Sequence, residues 1–203
     1  ESVDGTQKQV YDLGEVQVAA GKSVNVDKTV PLKDVKYWSP DSPNLYTVTL
    51  VLRDEADEII EVFTERTGFR DFRVVGTDFY LNGERIYLFG GNLFSAHFVP
   101  GLGSSDLESA KERAYDRLRM WKESGTVILR TAHMPLQPWV YDMADEMGIM
   151  LMNEWGWFHR VFSSFPNQAA EDVFFENNTK EMIEWFARDY NHPSVVIWVI
   201  NNE

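Results

Sequence analysis

Apolar and polar positions alternate along the first third of the chain. The alternation has a period of two at residues 16–26, around Gly21, and again at residues 46–52; residues 59–63 follow after an acidic turn. A period of two is typical of half-buried β-strands. We therefore predict short antiparallel strands joined by turns from residue 10 to about 75, as in a β-sandwich.

The hydrophobic period changes after residue 78. Asn82-Gly83 first supplies the positive φ angles of a two-residue hairpin turn. Ser105 and Glu108 then form a candidate capping box before a helix, and Gly148 is a candidate helix end. Apolar residues recur at helical spacing in three segments, at about 107–121, 138–147 and 170–190.

Four short apolar segments beside these helices predict buried strands, at 87–93, 127–131, 149–154 and 195–203. Alternating strands and helices predict a parallel sheet. Such a sheet is either half of an eight-stranded barrel or part of a doubly wound fold. No glycine-rich phosphate loop follows any of these strands, which disfavours the nucleotide-binding version.

The charge composition excludes several classes of partner. With 32 acidic and 19 basic residues the formal charge is −13, so we expect neither nucleic acid nor an anionic membrane as a partner. The chain has no cysteine, its 4 histidines are scattered, and no cluster of His, Asp and Glu has the spacing of metal ligands, so we expect no metal site. The compartment stays undecided. Aromatic residues make up 14% of the chain and offer flat faces that can stack on sugar rings.

The last predicted strand ends in a carboxylate, Glu203. A carboxylate that leaves a buried strand at the carboxyl-terminal edge of a barrel lies where barrel enzymes place their catalytic groups. The alternative is a surface glutamate that happens to follow a strand. Because the sequence stops at Glu203, we expect its catalytic partner outside this chain, which would then be a piece of a larger enzyme.

Five segments, in order along the chain, resemble glycoside hydrolase family 2, the family of β-galactosidases, β-glucuronidases and β-mannosidases. Each segment alone is a weak signal, but five in order, at spacings that fit β/α units, are specific. The segments are Trp38-Ser-Pro-Asp-Ser-Pro-Asn-Leu-Tyr46, Thr67-Gly-Phe-Arg70, residues 79–92, residues 129–135, and residues 191–198 followed by Asn202-Glu203.

The resemblance implies a multidomain β plus α/β protein. Its parts would be a partial immunoglobulin-like β-sandwich at residues 1–74 and the first half, about four β/α units, of a TIM (β/α)8 barrel at residues 75–203. It also implies a retaining β-glycosidase without an organic cofactor, with Glu203 as acid/base and the nucleophile beyond the chain. The expected partners are a carbohydrate substrate and the remainder of the barrel; a homo-oligomer of the full-length enzyme stays open.

The resemblance further implies substrate-binding residues at the ends of the predicted strands. Asn202 either hydrogen-bonds the sugar 2-hydroxyl or only ends a strand. Arg130 either forms a structural ion pair, with Glu154 or Glu203, or orients the catalytic carboxylates. His133 either lines the sugar pocket or is a loop histidine. The full set comprises Asn92, Arg130, His133, Glu154, Trp157 and Asn202.

The residues that distinguish members of the family do not agree on one subgroup. Phe94 replaces a histidine of β-galactosidases and β-glucuronidases, and Leu93 replaces a tryptophan of β-mannosidase-like members. Asn201-Asn-Glu203 favours the mannosidase version, whereas residues 130–135 favour the galactosidase version. The sugar therefore stays open, as does a rival function in which a degenerate barrel only binds carbohydrate. Trp198 is predicted to fill the barrel.

Overall fold

The computed structural model describes residues 1–94, 105–156 and 165–202. Within these ranges the chain forms eleven strands and three helices. The strands are β1 (Trp38–Ser39), β2 (Ser42–Pro43), β3 (Tyr46–Arg53), β4 (Ile59–Thr67), β5 (Phe72–Val75), β6 (Asp78–Leu81), β7 (Glu84–Ile86), β8 (Gly90–Asn92), β9 (Ile128–Arg130), β10 (Met150–Glu154) and β11 (Val195–Val199). The helices are α1 (Leu107–Glu123), α2 (Pro138–Met147) and α3 (Gln168–Asp189).

Strands β3 and β4 form an antiparallel ribbon in which Tyr46 pairs with Thr67 and Leu50 pairs with Phe63. The predicted strands at 46–52 and 59–63 are thereby confirmed. Both faces of the ribbon carry exposed apolar side chains, namely Val48, Leu50, Val51, Leu52, Val62 and Phe63. No second sheet covers the ribbon within the described ranges, so the immunoglobulin-like sandwich stays a prediction.

The predicted strands at residues 16–26 do not form, and that prediction was wrong. Only the turn is present: Gly21 has a φ of 69°, and the Lys22 N–H donates to the Ala19 carbonyl at 3.0 Å. Val16 and Val26 are exposed. A two-stranded hairpin is at best marginally stable without further strands or a core to cover it. Alternation of polarity is therefore not sufficient to form strands at residues 16–26.

Strands β5, β6 and β7 form a second antiparallel sheet, with β6 in the centre. The predicted turn between β6 and β7 is confirmed, because Asn82 and Gly83 have φ angles of 54° and 86°. Two positive φ angles match the right-handed twist of the flanking strands. The Asn82 side chain also donates to the Trp38 carbonyl at 2.9 Å, which fixes the hairpin against the N-terminal segment.

Strands β8 to β11 form a parallel sheet in the order β11-β10-β9-β8, which confirms the predicted alternation of strands and helices. All four strands are shorter than predicted, two of them substantially. Strand β8 is Gly90–Asn92 rather than 87–93, and β11 is Val195–Val199 rather than 195–203. Strands β10 and β11 end at the same level of the sheet. The Trp155 N–H, one residue beyond β10, donates to the carbonyl of Val199, the last residue of β11.

The parallel sheet separates two hydrophobic cores. One lies against the helices and contains Leu151. The other lies against the N-terminal strands and contains Ile128 and Met150. Because side chains alternate across a strand, Arg130 projects to the same side as Ile128, and Glu154 to the same side as Met150.

The helix ends follow local signals, with one correction. Helix α2 has the predicted bounds, and Gly148 after it is left-handed with a φ of 67°. The predicted capping box at Ser105 and Glu108 was wrong: Asp106 is the N-cap of α1 and accepts from the Ser109 N–H at 2.9 Å. None of the helices in the described part of the chain is long and apolar enough to cross a membrane.

The N-terminal segment contacts the start of β11 and helix α2 directly. Arg66 donates to Asp142 of α2 at 2.8 Å. Arg70 donates to the Pro193 carbonyl at 2.6 Å and to the Val195 carbonyl. Burial of Arg70 lowers the pKa of its guanidinium, although nearby acidic groups oppose this. These contacts fix where β11, the strand that leads to Asn202, enters the sheet.

Candidate active site

The carboxyl ends of the parallel strands bring four polar residues to one edge of the sheet. Asn92 pairs with Arg130 across β8 and β9, and Arg130 pairs with Met152 across β9 and β10. Glu154 ends β10, and Asn202 follows β11 by three residues. This edge is where sheets of β/α units place their ligand sites.

Arg130 joins two of these residues. Its Nε donates to Glu154 Oε2, and its Nη2 donates to Asn202 Oδ1 at 2.6 Å. The ion pair predicted between Arg130 and Glu154 is therefore confirmed. Asn202 accepts through its carbonyl oxygen, and its side-chain N–H groups meet no acceptor among the described residues, so they can face a ligand hydroxyl. Glu203, the other predicted partner of Arg130, lies outside the described residues.

Glu154 is fully buried, so its carboxylate needs a cationic partner to be stable in the fold. Its side chain has no exposed surface, whereas that of Arg130 is 28% exposed. A buried carboxylate is destabilising unless it is paired and hydrogen-bonded. The guanidinium of Arg130 therefore compensates Glu154 first, and only its remaining donors are available to the site.

His133 lies against the same carboxylate. Its Nδ1 is 3.6 Å from Glu154 Oε1, and its ring centre is 5.9 Å from that of Phe94. The backbone of His133 is left-handed, with a φ of 80°. A non-glycine residue in this region is strained by about 1–3 kcal/mol, and such residues concentrate at functional sites. The structure thus places His133 in the predicted cluster; a contact with sugar stays a prediction.

Of the remaining predicted site residues, Asn92 lies in the described part of the chain, whereas Trp157 and Glu203 do not. Asn92 lies at the same level of the sheet as Arg130 and is exposed. Trp157 lies outside the described residues, as does Glu203. Their predicted roles in stacking and catalysis therefore stay predictions.

Helix α3 packs against two tryptophans, Trp155 just after β10 and Trp198 in β11. The Trp155 ring is 5.1 Å from that of Trp185, and its indole N–H donates to Asn178 at 3.1 Å. Trp198 lies 4.9 Å from Trp185 and 4.4 Å from Phe186. The prediction that Trp198 fills the barrel was wrong: Trp198 pairs with Asn153 of β10, and its side chain packs with the core that lies against the helices.

A buried polar network behind the site could not be found from the sequence. Thr131 Oγ1 accepts from the Glu154 N–H at 2.8 Å. Asn153 accepts from Tyr141 at 2.8 Å and donates to Asp189 at 3.2 Å. Burial raises the pKa of the Tyr141 hydroxyl, so it stays a donor. The only signal in the sequence is that two polar residues, Thr131 and Asn153, lie close to the ends of mainly apolar strands.

A second cluster joins helix α2 to the loop before β11. His192 Nδ1 is 2.6 Å from Asp145 Oδ2, and Asp142 lies within 4.8 Å of both groups. Burial lowers the pKa of His192, but the hydrogen bond to Asp145 and its charge outweigh burial, so the pKa is raised. Arg66 pairs with Asp142, and His192 pairs with Asp145, so each carboxylate already has a partner. Spacing along the chain gave no sign of this cluster.

Family models match almost the whole chain. The model described as "Glycosyl hydrolases family 2, TIM barrel domain" matches residues 72–203, and the one described as "Glycosyl hydrolases family 2" matches residues 2–70. The β-galactosidase BgaC of Bifidobacterium adolescentis is 30% identical over 94% of this chain and 18% of its own length. The chain spans about a fifth of the length of the curated relatives it matches.

Solved structures agree with this assignment. The GH2 β-galacturonidase from Eisenbergiella tayi, bound to galacturonate, superposes with a TM-score of 0.73 at 30% identity, over 87% of this chain and 30% of that one. The Lactobacillus rhamnosus β-glucuronidase gives a TM-score of 0.66 at 31% identity, over 84% of this chain and 28% of that one. The parallel sheet, the polar edge and these matches together establish that the chain belongs to glycosyl hydrolase family 2 and contains the start of its TIM barrel domain.

Proposed function

We propose that this chain is part of a retaining β-glycosidase that hydrolyses an O-glycosidic bond by double displacement. The names of its relatives, β-galactosidases and β-glucuronidases, support the class of reaction. The observation that carries the proposal is the hydrogen-bonded row Glu154–Arg130–Asn202, which ends one residue before Glu203.

In the first step, the protonated Glu203 carboxyl donates its proton to the glycosidic oxygen while a nucleophile from outside this chain attacks the anomeric carbon. The aglycone leaves and a glycosyl-enzyme forms. In the second step, the Glu203 carboxylate takes a proton from water, and the water oxygen displaces the nucleophile from the anomeric carbon. The two inversions retain the β configuration.

Asn202 and Arg130 orient the sugar and the charges around it. Because Asn202 Oδ1 accepts from Arg130, the amide N–H groups point away from Arg130 and can donate to the sugar 2-hydroxyl. A hydrogen bond to this hydroxyl strengthens in the transition state. The guanidinium also favours ionised carboxylates near it, which suits the nucleophile and the base form of Glu203.

The other rim residues complete the substrate contacts in this proposal. Asn92 and His133 line one side of the sugar, and Trp157 stacks on a pyranose face. No organic cofactor takes part.

The decisive experiment compares leaving groups in the full-length protein. Glu203→Ala should lower kcat/KM by about 10²–10⁴-fold for a substrate with a poor leaving group, the usual range for general acid catalysis. With a dinitrophenyl leaving group, which departs without a proton, glycosyl-enzyme formation should be far less impaired. Added azide should restore turnover and give a β-glycosyl azide, since azide needs no base.

Glu203→Gln is the matched control, because it keeps the size of the side chain and leaves no space for azide. Equal losses for good and poor leaving groups, without azide rescue, would remove Glu203 from the acid/base role. If the wild-type protein binds sugar but hydrolyses no glycoside, the alternative of a non-catalytic carbohydrate-binding barrel replaces this proposal.

A further inference from the structure

The backbone ladder between β9 and β10 stops one step before Glu154. The Met150 N–H donates to the Val127 carbonyl at 3.0 Å. A parallel ladder advances two residues at each step, so the Glu154 N–H would meet the Thr131 carbonyl. That carbonyl instead accepts from the Met134 N–H at 3.4 Å, in the turn after β9. The Thr131 hydroxyl replaces it and accepts from the Glu154 N–H at 2.8 Å.

The Thr131 hydroxyl is itself held by buried groups. It donates to Asn153 Oδ1 at 3.4 Å, an oxygen that also accepts from Tyr141 at 2.8 Å. Asn153 Nδ2 donates to Asp189 Oδ2 at 3.2 Å. None of these four residues is exposed. Since an ionised Asp189 can only accept, the amide of Asn153 has one orientation, and its oxygen faces Thr131.

The same strand end carries the row of the candidate site. The backbone of Glu154 is held on one side by β11, with which it pairs at Val199, and on the other side by the Thr131 hydroxyl; its side chain pairs with Arg130. Arg130 in turn donates to Asn202. A shift of the Glu154 backbone would therefore reach Asn202 through two consecutive hydrogen bonds.

We propose that Thr131 is a positioning residue: its hydroxyl replaces the missing ladder acceptor, holds the β9-facing N–H of Glu154, and thereby sets the position of Arg130 and Asn202. Thr131 does not touch the substrate in this arrangement. The inference rests on the proposed function for its effect on turnover, but its structural part can be measured independently.

The test compares Thr131→Val with Thr131→Ser in the full-length protein. Valine has the same shape without the hydroxyl, and serine keeps the hydroxyl. Hydrogen exchange of the peptide that spans residues 150–156 should be faster in Thr131→Val by about 10-fold at the Glu154 amide, and close to wild type in Thr131→Ser. Unchanged exchange in Thr131→Val would overturn the proposal whether or not the protein is a glycosidase.

Kinetics give the second readout. The substrate is whichever nitrophenyl β-galactoside, β-glucuronide or β-mannoside the wild type hydrolyses fastest, together with its 2-deoxy analogue. Thr131→Val should lower kcat by about 10–100-fold, as expected for a displacement of about 1 Å at the site. The preference for the 2-hydroxyl substrate should also fall, because Asn202 has moved, whereas Thr131→Ser should retain both.

Tyr141→Phe is the control for stability. It removes a hydroxyl from the same buried network without touching Glu154, so it should lower the unfolding temperature but keep the preference for the 2-hydroxyl substrate. If Thr131→Val and Tyr141→Phe change this preference equally, or Thr131→Val and Thr131→Ser lose the same activity, the hydroxyl has no positioning role. If the wild type hydrolyses none of the glycosides, the proposed function fails and the exchange measurement alone decides this inference.

Discussion

The Trp38 indole N–H donates to the Asp145 backbone carbonyl at 2.9 Å, between residues that are 107 positions apart in the chain. Both residues are buried. The Asp145 carboxylate also accepts from the Ser194 N–H at 3.0 Å and pairs with His192 at 2.6 Å. One residue of α2 therefore connects the N-terminal segment to the loop from which β11 starts.

The pair of Asp145 and His192 should make stability depend on pH. The pKa of His192 is raised in the folded protein, so the ion pair contributes fully below the unfolded pKa, about 6.5, and is lost as pH rises through the folded pKa. Asp145→Asn should therefore lower the unfolding temperature by several degrees at pH 5–6 and by less at pH 9. Thermal unfolding from pH 5 to 9 measures this difference.

Asp142→Asn is the control for this prediction. Asp142 pairs with Arg66, which does not titrate in the same range. The charge of Asp142 also raises the pKa of His192, but Asp145 has the stronger effect, so the loss in unfolding temperature should vary less with pH in Asp142→Asn than in Asp145→Asn. An Asp145→Asn deficit that varies no more with pH than that of Asp142→Asn would contradict the prediction.

Gly125 and Gly148 both have left-handed backbones, so replacing each with alanine distinguishes the cost of backbone strain from the cost of a steric clash. Gly125 has a φ of 82°, and a Cβ added there would meet no atom within 4 Å, whereas a Cβ on Gly148 would lie 2.3 Å from the Pro40 carbonyl oxygen. Gly125→Ala should destabilise the fold by about 1 kcal/mol, the lower end for left-handed backbone strain. Gly148→Ala should cost about 3 kcal/mol or more, because Pro40 must also move. Equal unfolding temperatures of the two variants would contradict this difference.

Replacing Arg130 should affect stability and activity through different groups. In the full-length protein, Arg130→Ala leaves the Glu154 carboxylate buried without its partner, which costs about 3 kcal/mol for a partly exposed cation. Activity should fall by about 100-fold or more, because Asn202 also loses its hydrogen bond. The double variant Arg130→Ala/Glu154→Gln should regain much of the stability and none of the activity.

Thermal unfolding and kinetics of the same three proteins check this prediction. Recovery of activity in the double variant would show that Arg130 only neutralises Glu154. Unchanged stability in Arg130→Ala would show that water or another group pairs with Glu154.

The 203-residue chain on its own should self-associate and show no glycosidase activity. Its β3–β4 ribbon exposes apolar side chains on both faces, including Leu50 and Phe63, and unpaired edges and apolar surface promote association. Leu50→Lys/Phe63→Lys should reduce the apparent mass in light scattering. Turnover of an aryl β-glycoside above a Glu203→Gln control would contradict the expected inactivity.

Elements with local signals could be predicted from the sequence alone. Pro138 and Gly148 mark the bounds of α2, because proline suits the first turn of a helix and glycine adopts the left-handed conformation after its end. Asn82-Gly83 marks a hairpin for the same kind of reason. The spacing of apolar segments also predicted four parallel strands, and with them the shared edge where Arg130, Glu154 and Asn202 meet.

The partners of these elements, in contrast, are visible only in the folded chain. Residues 16–26 alternate as a strand does but pair with nothing in the described chain, since hydrogen-bond partners for a strand are not encoded in its own pattern. The choice of Glu154 as a partner of Arg130, the support of Glu154 by Thr131, and the pairing of Asp145 with His192 all join residues far apart in sequence. Such contacts depend on the register and packing of the elements, and a local pattern of polarity determines neither.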